Sequence, residues 1–329
     1  MKAAVYTRYG PPEVLQITNV EKPVPKDNEV LIKVRAASVN PLDWRLLRGV
    51  PRNFRILLRL PKPSITQPGR PGRDVAGQVE AVGRNVTRFK PGDEVFGCCH
   101  AAFAEFACAS ESALATTPNN VSFEQAASVP VAALTALQGL RDKGRIQPGQ
   151  KVLINGAAGG VGTFAVQIAK RLGANVTGVC STRNVDLVRS VGADHVIDYT
   201  QEDFTRSGPR YDLILDCVGN HSLSACRRVL NPKGICVIAG APKKLGVFLR
   251  RAIAAPVLSR LVSQKFVMFI AKVTKEDLTI LGELLAAGKV TPVLDRLYRL
   301  TEVPEAIRYL EEGHARGKVV ITLDERNII

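Results

Sequence analysis

The stretch KVLINGAAGGVGTFAVQIAK, residues 151–170, constrains the fold more than any other part of the chain. Five apolar-rich residues of strand type run into a glycine turn, and a helical pattern follows at once. Gly156, Gly159 and Gly162 have the spacing G-x-x-G-x-x-G. Without side chains the backbone can approach a pyrophosphate closely, and a helix starting near Val161 offers unpaired N–H groups and a positive dipole end to it. Such a triplet alone is a weak signal. A strand before it, a helix after it and further strand candidates downstream are the context that makes it a dinucleotide site.

Those further strands are present. NVTGVC (175–180), DHVID (194–198), YDLILDC (211–217) and GICVIA (234–239) are compact apolar runs separated by helical patterns. Strands alternating with helices imply βαβ units and a buried, doubly wound parallel sheet. The first third reads differently. EVLIKVRAASVN places Val30, Ile32 and Val34 on one face, and DVAGQVEAVG and DEVFG repeat short β runs bounded by Gly, Pro and Asp, a pattern of barrel-like β structure. The tail returns to short strands with one helix, for which Thr301 is the expected cap and Gly313 the stop. At 329 residues the chain exceeds one core. The simplest layout is a β domain built from both termini, 1–121 and 274–329, with a dinucleotide-binding domain, 122–273, inserted in it. The fold class is α/β.

Two features bear on compartment and partners. Seven scattered cysteines, an odd number, argue against a disulfide framework and for a reducing, cytoplasmic setting. The start MKAAVYTRYG lacks the apolar core of a signal peptide, and no run of 18 uncharged apolar residues exists to span a bilayer. The net charge of +15 is concentrated. Eight Arg or Lys and no acid lie between Trp44 and Asp74, and eleven more, again without an acid, from Cys217 through Lys275.

The residues CSTRN, 180–184, bear on which dinucleotide is bound. At the end of the second strand of such a domain an acid ordinarily holds the ribose hydroxyls. Here Ser181 and Arg183 stand instead, with no acid before Asp186. A 2′-phosphate would be repelled by an acid and stabilised by a hydroxyl and a guanidinium. Tyr199, just after the third strand, can pack on the adenine or donate to the phosphate. The expected cofactor is therefore NADP(H).

Nearly the whole chain resembles the medium-chain dehydrogenase/reductase superfamily, in its zinc-free quinone oxidoreductase branch. The carriers are MKAAVYTRYGPPEVL, AASVNPLDWRLLRG, GRDVAGQVEAVG, KPGDEVFG, VPVAALTALQGL, the glycine turn, GADHVIDY and GHARGKVVITL. NPLDW and GHARGKVV are similar to the chloroplast envelope quinone oxidoreductase homologues and related bacterial proteins. The resemblance implies a GroES-like β-barrel catalytic domain, a Rossmann domain and an active site in the cleft between them. It also implies roles. Asn40 and Thr135 correspond to residues at the nicotinamide end. Lys318 corresponds to a lysine that reaches the cofactor. Gly156, Ala158, Gly159, Gly160, Val161 and Gly162 form the phosphate turn, with Val218, Gly219, Gly240 and Ala241 at the ends of the fourth and fifth strands.

Zinc-dependent relatives place a Cys where Asn40 stands, a His where Arg73 stands and another Cys within 129–140, which holds neither Cys nor His. The four-cysteine structural loop is missing too. Cys98, Cys99 and His100 adjoin, but neighbours on a strand point to opposite faces, so no metal is expected. Without a Lewis acid a plain ketone is hard to polarise, whereas an enone, an alkenal or a quinone accepts hydride more readily. No tyrosine is followed four residues on by a Lys, which excludes the tyrosine–lysine mechanism of short-chain reductases. Asp43, the only acid near the Asn40 motif, and water are the candidates for proton donor, with helix capping the competing role for Asp43.

The reading is thus a reductase of small apolar carbonyls or quinones. One-electron quinone reduction is the enzymatic alternative, and an NADPH-binding sensor or membrane-associated interaction protein with little turnover is the alternative from another class. A homodimer is a further expectation, and a specific nucleic-acid partner is not, since basic charge alone gives only nonspecific binding. Arg45, Arg48, Arg52, Arg55 and Arg59 recur at spacings of three and four, and 243–265 has a similar basic, apolar mix. Such segments suit either a peripheral membrane contact, at roughly 1 kcal/mol per cation, or a cover over the substrate cleft or a dimer contact.

Overall fold

The computed structural model describes residues 1–49, 62–206, 208–240 and 245–323. It divides into two compact units: Met1–Val131 with Val273–Ala287 and Pro292–Ile329, and Ala132–Lys272 with Gly288–Thr291. The sequence reading placed the crossings at 122 and 274.

In the first unit, β1 (Lys2–Val5) and β2 (Gln16–Asn19) form an antiparallel pair. The principal sheet has seven strands. Its backbone is β3 (Glu29–Val39) paired antiparallel with β4 (Asp74–Val82), which continues to β5 (Glu94–Cys98) and β7 (Leu114–Thr116); β6 (Phe106–Ser110) also pairs with β3. On the other side of β3 lie β15 (Lys318–Thr322) and then β14 (Leu294–Arg299), so the two ends of the chain share one sheet. Val30, Ile32 and Val34 are at most 3 % exposed. They join Val75, Val95, Leu114, Val319 and Ile321 in one core, each such side chain contributing about 1.5–3 kcal/mol by leaving water.

Helices α1 (Pro41–Arg48), α2 (Phe123–Ala127), α8 (Lys275–Ala286) and α9 (Val303–Glu312) accompany the sheet. Gly313 ends α9 in the left-handed conformation at φ 86°, as expected. Its start differs from the expectation: a 3-10 turn over Leu300–Glu302 precedes it, and Glu302, not Thr301, is the N-cap. Helix α3 (Pro130–Gln138) carries the chain into the second unit.

The second unit is a six-stranded, all-parallel sheet of β8 (Lys151–Asn155), β9 (Asn175–Cys180), β10 (His195–Asp198), β11 (Tyr211–Asp216), β12 (Leu230–Ile238) and β13 (Lys265–Met268). Their spatial order is β10-β9-β8-β11-β12-β13, the 3-2-1-4-5-6 order of a doubly wound dinucleotide-binding domain. Helices α4 (Gly160–Arg171), α5 (Val185–Ser190), α6 (Leu223–Arg228) and α7 (Leu245–Leu261) make the crossovers. The order reverses between β8 and β11, and ligands of such sheets bind in the crevice outside the carboxyl ends of those strands.

Candidate functional site

The glycine turn joins β8 to α4, whose N-cap is Gly159. Gly156 has φ 84°, a conformation that L side chains rarely adopt. A Cβ at Gly162 would collide with the carbonyl oxygen of Gly156 and the backbone of Ala157, so only glycine lets the helix begin this close to the strand. Ala158, Gly160 and Val161 complete the turn and the first residues of α4.

Across the switch point, Asn155 at the end of β8 donates from Nδ2 to Asp216 Oδ1 (2.8 Å) and to Asn220 Oδ1 (2.9 Å). Asp216 Oδ1 also accepts from the backbone N–H of Gly219 (2.8 Å) and of Val218 (3.2 Å). The expected crevice residues Val218 and Gly219 are therefore held by a buried carboxylate, which sequence reasoning passed over. Its signal was its place as the last residue of a buried strand. Gly240 follows β12, where a Cβ would collide with Cys217; Ala241 lies outside the described residues.

At the end of β9, Ser181 precedes a 3-10 turn over Thr182–Asn184. Asn184 donates to Ser181 Oγ (3.1 Å), Arg183 is exposed, and Tyr199 is 59 % exposed. One further acid is present. Asp198 pairs in register with Cys180 and accepts hydrogen bonds from Thr182 Oγ1 (2.5 Å) and Thr200 Oγ1 (2.8 Å). These hydroxyl bonds, that to Thr182 first, hold its pKa below the usual carboxylate range. Thr135 is half-buried on α3.

In the first unit, β3 hands over to α1 at Asn40, which is 3 % exposed. Its amide is fully engaged. Lys318 Nζ donates to Asn40 Oδ1 (2.8 Å), while Asn40 Nδ2 donates to Asp74 Oδ2 (2.9 Å) and to the Ser38 carbonyl (3.3 Å). Lys318 Nζ lies 3.3 Å from Asp74 Oδ2, and the two side chains are 4 % and 0 % exposed. Ser38 Oγ (2.7 Å) and the N–H of Val131 (3.0 Å) also donate to Asp74. The ammonium expected to reach a cofactor is thus occupied with Asn40 and Asp74. Sequence reasoning missed Asp74, although it follows Arg73 in the conspicuous run GRDVAG.

Asp43 is buried, and both its oxygens accept backbone N–H bonds, Oδ2 from Asn40 (2.8 Å) and Oδ1 from Gly72 (3.0 Å). Burial, outweighing these bonds, pushes its pKa up to about 6. The geometry is that of a carboxyl pinning the start of α1 to the segment before β4.

The metal question turns on donors. Among the described residues no group of three or more His, Cys, Asp or Glu is arranged to hold an ion. Cys98 and Cys99 are buried, and desolvation followed by the Asp74 charge pushes both thiols far up. Arg73 Nη1 stands 3.3 Å from His100 Nδ1. Burial, then the Arg73 charge, lowers the His100 pKa. Among the described residues no donor set is grouped as a zinc centre needs.

The basic segments prove partly paired. Arg48 makes a two-pronged ion pair with Glu311 (2.9 and 2.8 Å), and the Arg45 guanidinium lies 5.0 Å from the Trp44 ring centre. Helix α1 stops at Gly49; Arg52, Arg55 and Arg59, with Lys243 and Lys244, lie outside the described residues. Among the described residues no helix is long and apolar enough to cross a membrane.

A chain that combines a GroES-type β unit drawn from both ends of the sequence with a doubly wound sheet carrying a glycine turn defines a dehydrogenase of medium-chain architecture. Known proteins agree. Residues 26–139 match the alcohol dehydrogenase GroES-like domain family and residues 191–321 the zinc-binding dehydrogenase family. The chain is 34 % identical to a chloroplast envelope quinone oxidoreductase homolog of Arabidopsis thaliana, covering 98 % of each, and 35 % identical to a 2-methylene-furan-3-one reductase of Solanum lycopersicum, covering 98 % of this chain and 79 % of that one. The Escherichia coli quinone oxidoreductase complexed with NADPH superposes with a TM-score of 0.82 at 26 % identity, over 98 % of this chain and 100 % of the other. The chain belongs to the medium-chain dehydrogenase/reductase superfamily, in its quinone oxidoreductase branch.

Proposed function

We propose that this oxidoreductase is a zinc-independent, NADPH-dependent reductase that delivers hydride to an activated carbon–carbon double bond or to a quinone. The observation that carries the reading is the engagement of Asn40. At a position where zinc-dependent relatives have a ligand, this chain has an amide held by Lys318 and Asp74, and Arg73 stands at a second. The similarity to a quinone oxidoreductase homolog and a 2-methylene-furan-3-one reductase supports both acceptor classes.

The bound dinucleotide supplies the hydride. Gly156, Ala158, Gly159, Gly160, Val161 and Gly162 take its pyrophosphate against the start of α4. Ser181 and Arg183 take the 2′-phosphate, with Tyr199 beside them. Val218 and Gly219, fixed by Asp216, and Gly240 line the crevice. Asn40 and Thr135 serve the nicotinamide end. Lys318 acts as a positioning residue, holding Asn40 in one orientation. Asp43 acts likewise, because both its oxygens are committed to backbone N–H groups; water supplies the proton. An enolate or hydroquinone anion, delocalised over its own electron-withdrawing groups, tolerates that arrangement.

A panel of enones, alkenals and quinones with NADPH tests the reading, following loss of cofactor absorbance before and after exhaustive chelation. Turnover of at least one class, undiminished by the chelator, is expected. Absence of turnover on every member sinks it.

A further inference from the structure

Ser181, Thr182, Arg183 and Asn184 occupy the turn at the end of β9, where the second strand of a doubly wound sheet meets the adenosine ribose of a dinucleotide. Besides the guanidinium, the turn carries two hydroxyls and an amide, and hydrogen bonding gives these three different roles.

The Thr182 hydroxyl is committed. It donates to Asp198 Oδ2 (2.5 Å), while the hydroxyl (2.8 Å) and the N–H (2.9 Å) of Thr200 donate to Asp198 Oδ1. A hydroxyl proton held by a carboxylate makes a strong, charge-assisted bond, so a phosphate would have to compete with Asp198 for it.

The Ser181 hydroxyl is oriented the other way. Asn184 Nδ2 donates to Ser181 Oγ (3.1 Å). A serine hydroxyl has one proton and two lone pairs. The amide occupies a lone pair, and the proton has no acceptor among the described residues, since Ser181 caps its 3-10 turn without a side-chain bond. Ser181 is half-buried, so an entering ligand can meet that proton.

Asn184 has no competing task. It is 8 % exposed and stands at the N-cap of α5, yet its side chain makes no capping bond. Its Oδ1 has no hydrogen-bond partner among the described residues, which leaves the contact with Ser181 as the amide's one side-chain bond. A buried carbonyl without a donor lowers stability. An apolar side chain of similar shape would serve the turn as well.

We propose that Asn184 is a positioning residue for cofactor selection: its amide keeps the Ser181 hydroxyl a hydrogen-bond donor toward a 2′-phosphate, while Asp198 withdraws Thr182 from that role. The inference rests on the assignment of Ser181 and Arg183 to the 2′-phosphate and adds the groups that set their preference. A phosphate dianion only accepts hydrogen bonds, so it needs an oriented donor. The 2′-hydroxyl of NADH both donates and accepts, and it gains little from that orientation.

Titration calorimetry of the full chain with NADPH and with NADH tests this. The wild type binds NADPH more tightly, and Ser181→Ala weakens NADPH about tenfold or more, as loss of a bond to a charged group does. Asn184→Leu weakens NADPH about fivefold and NADH less than about twofold, without lowering the unfolding midpoint. In the Ser181→Ala background the same substitution changes NADPH binding less than about twofold, because it acts through that hydroxyl. Asn184→Asp, whose carboxylate takes the Ser181 proton for itself, lowers the preference for NADPH further. Thr182→Val leaves that preference within about twofold of the wild type. Retention of the wild-type preference by Asn184→Leu, equal losses with and without the serine hydroxyl, or an equal effect of Thr182→Val overturns the proposal while NADPH binding itself stands. A wild type that binds both cofactors alike overturns the phosphate assignment and the inference together.

Discussion

Replacing Lys318 by Met leaves the Asp74 carboxylate, 0 % exposed, without its only cationic partner among the bonds described above. Ser38 Oγ, Asn40 Nδ2 and the Val131 N–H still donate to it. Asn40 Oδ1 loses the ammonium that orients it. Breaking a buried ion pair from one side costs about 3–5 kcal/mol, and the three remaining donors place this case near about 3 kcal/mol. The companion substitution Asp74→Asn removes the stranded charge. The double variant should therefore be more stable than Lys318→Met alone, by roughly 1–2 kcal/mol, as expected for residues in direct contact. The single tryptophan, Trp44, lies on α1 against the core of the first unit, so its fluorescence during urea unfolding reports that unit. A loss below about 1 kcal/mol for Lys318→Met, or a double variant no more stable than the single, refutes the charge-pair argument.

Two further outcomes follow from the site. The Asp43 pKa is raised by burial from 3.8 to about 6, so the folded state holds its proton more tightly than the unfolded chain. Stability from this group is full below pH 4 and is lost as pH rises through about 6, by up to about 3 kcal/mol. The penalty of Asp43→Asn in urea melts should accordingly be larger at pH 4.5 than at pH 7.5; a penalty that grows with pH contradicts the assignment. Arg183→Glu should weaken NADPH binding by on the order of 1.5–3 kcal/mol and leave NADH nearly unchanged, as measured by fluorescence titration. Equal losses for both cofactors would show that Arg183 does not read the phosphate.

What the sequence disclosed was what repeats locally. Val30, Ile32 and Val34 announced a strand buried on that face, and Gly156 and Gly162 announced a turn that excludes side chains, the first by its φ of 84° and the second by its backbone contacts. Gly313 marked the end of α9, but the 3-10 turn before it hid the start. β13 was missed: the strand candidates stopped at GICVIA, and the basic, apolar segment 243–265 reached only the first of its four residues, KFVM. Long-range pairings were invisible for a plainer reason. Lys318 meets Asp74 across 244 positions, and Arg48 meets Glu311 across 263. A segment without acids in sequence is thus not a segment without acids in space. Asp43 was legible as a choice between proton donor and cap, and the Asn40 N–H on one oxygen with the Gly72 N–H on the other favours the cap.

The most direct test of hydride delivery without a metal uses NADPH carrying deuterium at the transferred C4 position. The enzyme is first stripped with a chelator and then given an enone that it reduces. The account predicts one deuterium at the β-carbon of each product molecule, at a rate that added zinc does not raise. Product without deuterium, or activity lost on chelation and restored by zinc, would contradict it.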